Sequence, residues 1–262
     1  MTVPKALTIA GSDSGGGAGI QADLKTFSAF RVFGTSVLTA ITAQNSLGVH
    51  GVHELPPAFV RAQLDAVLSD IGADAVKIGM LSSAPIIEAV ADGLAAHPHG
   101  PIVLDPVMIA TSGDPLLRPE ARAALIARLL PVAVVVTPNL HEAGALADMA
   151  VTSEKEMEEA ARRIFDLVPR PVLVKGGHLE DSATDILWDG HSFTRFPGEH
   201  LASTSTHGTG CTLSAAIAAG LASGRPLTDA IREAKAYVTA AIREGFQAGR
   251  GLGALRHFVE RW

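Results

Sequence analysis

A run of small polar residues and glycines, Ser203–Thr212, leads directly into an alanine-rich apolar segment. This change in composition is typical of a loop that begins a helix. The first N–H groups of a helix have no internal acceptor and carry partial positive charge, so they can bind a phosphoryl group. Gly208, Thr209 and Gly210 would supply these groups, and neither glycine has a Cβ atom to keep an anion away. An ordinary helix start with small residues explains the pattern equally well.

Cys211 is the only cysteine of the chain and lies in the same run. A thiol at the start of a helix can have a lowered pKa and more thiolate character, which makes it a candidate general base. Its unperturbed pKa is about 8.5, so the site must lower the pKa before the thiol can act near neutrality. The alternative interpretation is a small buried cysteine with no chemical role.

Two carboxylates and a lysine elsewhere in the chain complete the parts needed for phosphoryl transfer. Asp105 and Glu142 could hold Mg²⁺, which prefers oxygen ligands. Lys175, followed by two glycines, could contact phosphate oxygens. A turn cap at Asp105, a first-turn acid at Glu142 and a solvated loop lysine are the structural alternatives. Together with an anion-binding helix start, the three side chains favour positioning and electrostatic stabilisation of a transferred phosphate.

The elements that must position these residues are predicted strands, each ending in a polar or functional side chain. Ligands of open α/β sheets bind at the carboxyl ends of the strands. We therefore expect the residues that follow the strands to converge on one edge of the sheet. They are Asp13, Gln44, Met80, Asp105, Asn139 with Glu142, and Lys175.

Apolar runs alternate with segments of helical periodicity along the chain, which predicts a mostly parallel sheet with helices on both faces. The first unit is a strand over 6–10, a glycine-rich loop and a helix over 20–33. That loop has neither the spaced glycines of a dinucleotide fingerprint nor the Gly-Lys-Ser/Thr of a P-loop. Asp189-Gly190 predicts a hairpin at an antiparallel edge. We find no linker or repeat, and expect a single domain over 1–262.

Composition limits the classes of function. The 262 residues are 47% hydrophobic and 18% charged, with a net charge of -6, which excludes a disordered chain. No cluster of lysines and arginines indicates binding to nucleic acid or a membrane surface. A single cysteine excludes an internal disulfide and favours a reducing compartment. The apolar run before Gly11 is too short for a signal peptide, so we expect a cytoplasmic protein without a membrane span.

Seven motifs, in order along nearly the whole chain, resemble those of one enzyme family. They are Ala10–Thr26, Ala43–Ser46, Lys77–Leu81, Val103–Met108, Thr137–Glu142, Val174–His178 and Thr206–Thr212. The family is that of the bacterial hydroxymethylpyrimidine/phosphomethylpyrimidine kinases of thiamine biosynthesis, in the ribokinase-like superfamily. The resemblance implies a three-layer α/β/α sandwich and a homodimer. It also implies two ATP- and Mg²⁺-dependent phosphorylations, first of a hydroxymethyl group and then of the resulting monophosphate.

The resemblance also assigns roles to individual residues. It implies a pyrimidine pocket formed by Gly11, Ala18, Asp23, Gln44, Met80 and Val107. The amides of Gly208, Thr209 and Gly210 resemble the family's anion hole, and Cys211 replaces the aspartate base common elsewhere in the superfamily. Asn139, Thr209, Lys175 and Lys235 match its nucleotide region, and Asp105 and Glu142 its metal site. Position 42 is threonine where the resemblance leads us to expect valine, which affects the shape of the pocket.

Two other functions are compatible with these residues. Pyridoxal kinases share the scaffold and overlap in substrate, so phosphorylation of pyridoxal is the main alternative. A non-catalytic ligand-binding or regulatory protein is a different class, and the joint presence of Asp105, Glu142, Lys175 and Cys211 disfavours it. A polar segment over 110–117 is our candidate for a lid that closes over the substrate.

Overall fold

The structure is a computed structural model that describes residues 2–108, 116–118, 120–177, 179, 183–201 and 203–259. The predicted lid over 110–117 falls outside this part of the chain except for its last two residues. Within the described residues, one sheet of nine strands lies between two layers of helices. No helix in the described ranges combines the length and apolar character needed to cross a membrane.

The strands follow the order β3-β2-β1-β4-β5-β6-β7-β8-β9 across the sheet. Six adjacent strands, β2, β1, β4, β5, β6 and β7, are parallel. Strands β3, β8 and β9 pair antiparallel with their neighbours. Their bounds are β1 (Lys5–Asp13), β2 (Phe33–Asn45), β3 (Gly48–Glu54), β4 (Ala75–Ile78), β5 (Ile102–Leu104), β6 (Val135–Val136), β7 (Val172–Val174), β8 (Asp185–Trp188) and β9 (Phe193–Phe196).

The helices divide between two hydrophobic cores, one on each face of the sheet, because successive strand side chains point to opposite faces. Five helices pack on one face: α2 (Pro57–Asp70), α3 (Ala84–Ala96), α4 (Ala121–Arg128), α5 (Leu140–Ala147) and α6 (Glu154–Leu167). Three pack on the other: α1 (Gly19–Ala29), α7 (Thr209–Ala222) and α8 (Leu227–Arg243). The predicted three-layer α/β/α fold is thereby confirmed.

Two elements differ from the sequence prediction. Strand β3 was not expected, because its side chains are mostly exposed and polar and it is held by backbone pairing with β2. Helix α1 ends at Ala29 rather than at Phe33, since Arg31 adopts a positive φ of 59° and Phe33 already hydrogen-bonds to Pro4. The predicted hairpin is confirmed, with Gly190 at a φ of 97° between β8 and β9.

Candidate active site

Helix α7 begins where the sequence predicted, at a glycine that no other residue could replace without strain. Gly208 has a φ of 81°, and a Cβ atom there would lie 1.9 Å from the carbonyl oxygen of Gly17. The glycine-rich loop after β1 and the start of α7 are therefore in contact. The backbone N–H groups of Gly210 and Cys211 have no acceptor among the described residues, whereas Thr209 N–H donates to Thr206. The start of α7 thus has free donors for an anion.

The carboxylate of Asp13 organises the glycine-rich loop. It accepts hydrogen bonds from the backbone N–H groups of Gly15, Gly17 and Ala18, at 2.7–3.0 Å, and lies 2.9 Å from Nε2 of His207. Burial alone would raise the pKa of Asp13, but the bonds from His207 and the backbone outweigh it and hold that pKa below its usual value. Sequence reasoning missed His207, although it immediately precedes Gly208.

Cys211 lies in the first turn of α7. The backbone N–H of Gly19, the first residue of α1, acts to lower the pKa of its thiol. Burial nevertheless dominates and raises the pKa of the thiol to about 11, although the charge of Lys77 opposes the shift. Our expectation of a lowered pKa was therefore wrong for the protein without ligands, because a desolvated thiolate costs more than the helix amides return.

Asp105, Glu142 and Lys175 meet at the edge of the sheet. Nζ of Lys175 lies 2.7 Å from Oδ1 of Asp105 and 3.8 Å from Oε2 of Glu142, and all three side chains are almost fully buried. A Cβ atom on Gly210 would lie 3.1 Å from the same Nζ, so the group adjoins the start of α7. Ser214 on α7 also donates to Asp105, at 3.3 Å. The predicted convergence of strand ends is present for these residues.

Burial shifts the charge balance of this group. It raises the pKa of Glu142, an effect that Lys175 opposes and Asp105 reinforces. The two carboxylates raise the pKa of Lys175 against the effect of burial, so the ammonium stays charged. Among the described residues no third acidic, histidine or cysteine side chain joins Asp105 and Glu142 in a metal-binding group. Two carboxylates nevertheless suit Mg²⁺, which commonly completes its shell with waters and substrate phosphates.

Asn139 and Glu142 cap helix α5. Oδ1 of Asn139 accepts from the N–H of Glu142 at 2.9 Å, and Oε2 of Glu142 accepts from the N–H of Asn139 at 2.8 Å. This reciprocal capping box is the structural alternative that the sequence left open. It places Asn139 beside Lys175, with which it forms a parallel β-bridge, but the side-chain oxygen of Asn139 is already used.

Asp23, expected in the pyrimidine pocket, pairs with a buried lysine. Its carboxylate is completely buried, lies 2.8 Å from Nζ of Lys77 and accepts a 2.6 Å hydrogen bond from the hydroxyl of Thr8. Protein groups thus hold both oxygens of Asp23, and the prediction that Asp23 contacts the substrate stays a prediction. The motif around Lys77 was noted in the sequence, but its ion pair with Asp23 was not foreseen.

The remaining residues of the expected pyrimidine pocket lie at or just after the ends of the neighbouring strands β1, β2, β4 and β5. Gly11 faces Met80, whose sulfur would be 2.9 Å from a Cβ atom at Gly11. Gln44, at the end of β2, has its amide 3.4 Å from the ring of His207. Val107 is half-buried and follows Asp105 by two residues, with its N–H bonded to the Asp105 carbonyl. The structure thus connects Gln44 to the start of α7 through His207.

Lys235 lies apart from this group. Its Nζ is 2.8 Å from Oδ2 of Asp185 and 2.5 Å from the carbonyl of Ala183. It lines a cavity of about 490 Å³ between β9 and α8 to which none of the residues around Cys211 belongs. Asp185 also accepts a hydrogen bond from the N–H of Gly176, the residue after Lys175. Asp185 thus connects Lys235 to the residue after Lys175, and the role of Lys235 in nucleotide binding stays a prediction.

Comparison with known proteins places this geometry in a family. A model described as phosphomethylpyrimidine kinase matches residues 13–256, most of the chain. The chain belongs to the phosphomethylpyrimidine kinase family. The hydroxymethylpyrimidine/phosphomethylpyrimidine kinase of Rhizobium meliloti is 55% identical over 261 residues, covering 98% of both chains.

Two further proteins are similar to this member of the phosphomethylpyrimidine kinase family. The thiamine biosynthesis bifunctional protein of Geobacter sulfurreducens is 53% identical over 97% of the chain, which spans 52% of that protein. The pyridoxal kinase of Staphylococcus aureus, solved with AMP-PCP and pyridoxal, is 39% identical with a TM-score of 0.91. The structural alignment covers 98% of this chain and 94% of the S. aureus kinase. The ribokinase-like fold and the kinase class expected from the sequence are thus confirmed.

Proposed function

We propose that the chain uses ATP to phosphorylate 4-amino-5-hydroxymethyl-2-methylpyrimidine and then its monophosphate, as a step of thiamine diphosphate biosynthesis. The observation that carries the proposal is the meeting of Cys211, the free amides at the start of α7 and the Asp105–Lys175 pair at one sheet edge. The names of the family and of its relatives support the substrate, and the S. aureus complex with AMP-PCP supports the nucleotide.

In the proposed first reaction the hydroxymethyl oxygen attacks the γ-phosphorus of ATP, and the bond from that phosphorus to the bridging oxygen breaks to release ADP. The thiolate of Cys211 takes the hydroxyl proton, while the N–H groups of Gly210 and Cys211 donate hydrogen bonds to the transferred phosphoryl oxygens and stabilise their negative charge. Such transition states are loose, so the proton can leave late. Only the thiolate of Cys211 can accept this proton, so the thiol must first lose its own proton to solvent. In the second reaction a phosphate oxygen is the nucleophile.

We assign the ion-pair group to the nucleotide. Lys175 would contact phosphate oxygens as a buried point charge, as the P-loop lysine does in other folds. Asp105 and Glu142 would hold Mg²⁺, which neutralises charge on the phosphates when it is bound. Lys235 would reach the nucleotide only from the cavity between β9 and α8, and Asn139 would act by positioning Glu142 rather than by direct contact.

A homodimer stays part of the proposal. The ribbon formed by β2 and β3 exposes the large apolar side chains of Ile41, Leu47 and Val52, each about half exposed. A second copy could bury this face. We expect light scattering to give twice the mass of one chain, and Val52→Glu to halve it. The cytoplasmic location expected from the single cysteine stays a prediction.

The experiment that tests the function is an ADP-release assay on wild-type enzyme with the pyrimidine alcohol and, separately, with pyridoxal. Pyridoxal is the second candidate because the S. aureus structural relative is a pyridoxal kinase. We expect the larger kcat/KM for the pyrimidine. A larger value for pyridoxal would reverse the two candidates, and binding without ADP release would indicate a non-catalytic protein. Replacing Cys211 by alanine should lower kcat by about 10²–10⁴-fold with little change in nucleotide affinity.

A further inference from the structure

Thr42 is almost fully buried and lies beside the amide of Gln44. Its hydroxyl has two oxygen neighbours. Oγ1 is 2.8 Å from the carbonyl oxygen of Ser12 and 3.2 Å from the atom placed as Oε1 of Gln44. A hydroxyl has one proton, and a backbone carbonyl can only accept. The proton of Thr42 is therefore used by Ser12, so the hydroxyl presents only lone pairs to Gln44.

The other end of the Gln44 amide faces a donor. Nε2 of His207 is 2.9 Å from a carboxylate oxygen of Asp13, which can only accept, so this ring nitrogen must carry a proton. The atom of Gln44 at 3.4 Å from the same ring nitrogen is placed as the amide nitrogen, which is also a donor. Two donors face each other there, and two acceptors face each other at Thr42.

Exchanging the two ends of the Gln44 amide removes both conflicts. The oxygen and nitrogen of an amide are assigned from their hydrogen-bond neighbours. After the exchange, the amide nitrogen donates to Thr42 and the amide oxygen accepts from His207, which shares its proton with Asp13. We infer that Thr42 is a specificity-determining residue that fixes the Gln44 amide in this orientation before the substrate binds.

The backbone of Gln44 is fixed by hydrogen bonds, so rotation of its side-chain amide is the main motion left to this residue. Ser14 clamps the backbone of Gln44, accepting from its N–H at 2.8 Å and donating to its carbonyl at 2.7 Å. The ladder between β2 and β3 shifts register between Ala43 and Gln44, where the extra residue, His50, lies on β3, so β2 keeps its alternation. Thr42 and Gln44 are two residues apart on β2 and so face the same side of the sheet.

A fixed amide has a consequence for substrate choice. One N–H and one lone pair of Gln44 stay free, in a set order, to meet the pyrimidine edge. This inference rests on the proposed function, whose substrate has an amino donor next to a ring-nitrogen acceptor. The 4-oxo analogue has the opposite order, a carbonyl acceptor next to a ring N–H donor. A fixed amide matches the amino compound only, whereas an amide free to rotate can match either.

The test compares kcat/KM for 4-amino-5-hydroxymethyl-2-methylpyrimidine and its 4-oxo analogue in three variants. Thr42→Val removes the hydroxyl at nearly constant volume, and we expect the preference for the amino compound to fall about fivefold, mainly through KM. Thr42→Ser should retain the wild-type preference. Thr35→Val is the matched control on the same strand, where the hydroxyl makes only a 3.5 Å contact with Ala6. An unchanged preference in Thr42→Val would overturn the inference.

A neutron structure of the deuterated wild-type protein tests the same point without relying on activity or on a folded variant. We expect the deuterons of Gln44 to face Oγ1 of Thr42 and the amide oxygen to face His207. The amide oxygen facing Thr42 would overturn the inference even if the enzyme phosphorylates the pyrimidine. Absence of turnover by the wild-type enzyme on the amino compound would instead contradict the proposed function.

Discussion

Lys175 holds its ammonium group between two buried carboxylates, 2.7 Å from Oδ1 of Asp105 and 3.8 Å from Oε2 of Glu142. The three residues come from the ends of neighbouring parallel strands and the helix that follows one of them. Asp105 follows β5, Glu142 lies in the first turn of α5 after β6, and Lys175 follows β7. The order of strands in the sheet therefore places one positive and two negative charges together, beside the start of α7.

Replacing Lys175 by methionine should destabilise the protein strongly. The change leaves Asp105 and Glu142 buried without a counter-charge, and breaking a buried ion pair typically costs about 3–5 kcal/mol. Lys175 opposes the rise in the pKa of Glu142, so without it that pKa rises further, and the loss should be larger at pH 8 than at pH 5, where a proton neutralises Glu142. Urea unfolding at both pH values measures the difference. The exposed Lys155→Met is the control, and an equal loss at both pH values would contradict this explanation.

Glu142→Gln should flatten the dependence of stability on pH. The folded protein raises the pKa of Glu142, so its contribution is fully present below the unfolded pKa and is lost as pH rises through the folded pKa. Glutamine does not titrate, and its amide oxygen can still accept from the N–H of Asn139. We expect the variant to gain stability relative to wild type between pH 5 and pH 8. A parallel pH dependence of the two unfolding free energies would show that Glu142 retains an ordinary pKa.

Gly208→Ala should disrupt the contact between the glycine-rich loop and α7. The new Cβ atom would lie 1.9 Å from the Gly17 carbonyl, so the backbone must move. Gly224→Ala is a matched control, since its φ of 80° is almost the same and nothing lies within 4 Å of the added atom. The control should lose about 1 kcal/mol from backbone strain. Gly208→Ala should lose clearly more stability than the control, together with activity. Equal losses in the two variants would show that the contact between Gly208 and Gly17 does not contribute to stability.

The thiol of Cys211 should react slowly with iodoacetamide near neutrality. Burial raises its pKa to about 11, and the thiolate is the nucleophile, so the logarithm of the rate should rise by nearly one for each pH unit from 7 to 10. Free cysteine, with a pKa of about 8.5, is the control and should level off within that range. A plateau for Cys211 at or below pH 8 would mean that the helix amides outweigh its burial.

The sequence predicted the convergence of Asp105, Lys175 and Cys211, because parallel strands end on one edge whatever packs around them. It did not predict which groups would be free to act. Asp23 looked like a substrate ligand, but it neutralises Lys77, and that partner is 54 residues away. Lys235 pairs with Asp185 across a similar separation. Such pairings depend on how α1 and α8 seat on the sheet, and local patterns do not contain that information.

Strand β3 and the role of the Thr42 hydroxyl could not be predicted from local sequence patterns either. The exposed side chains of β3 have no apolar alternation to signal a strand, since its pairing with β2 uses only the backbone. The sequence shows that residue 42 is threonine, but its effect on Gln44 depends on differences of a few tenths of an ångström between hydrogen-bond distances. Motifs therefore locate the site, whereas the hydrogen-bond neighbours decide what each group can do.

The most direct measurement of the central claim is ³¹P NMR of the products formed from ATP by the wild-type enzyme. The reaction contains Mg²⁺ and either the pyrimidine alcohol or its monophosphate. We predict a monoester resonance followed by a diphosphate from the alcohol, a diphosphate from the monophosphate, and one ADP for each phosphate transferred. Hydrolysis of ATP to inorganic phosphate with neither pyrimidine modified, or no consumption of ATP at all, would contradict the account.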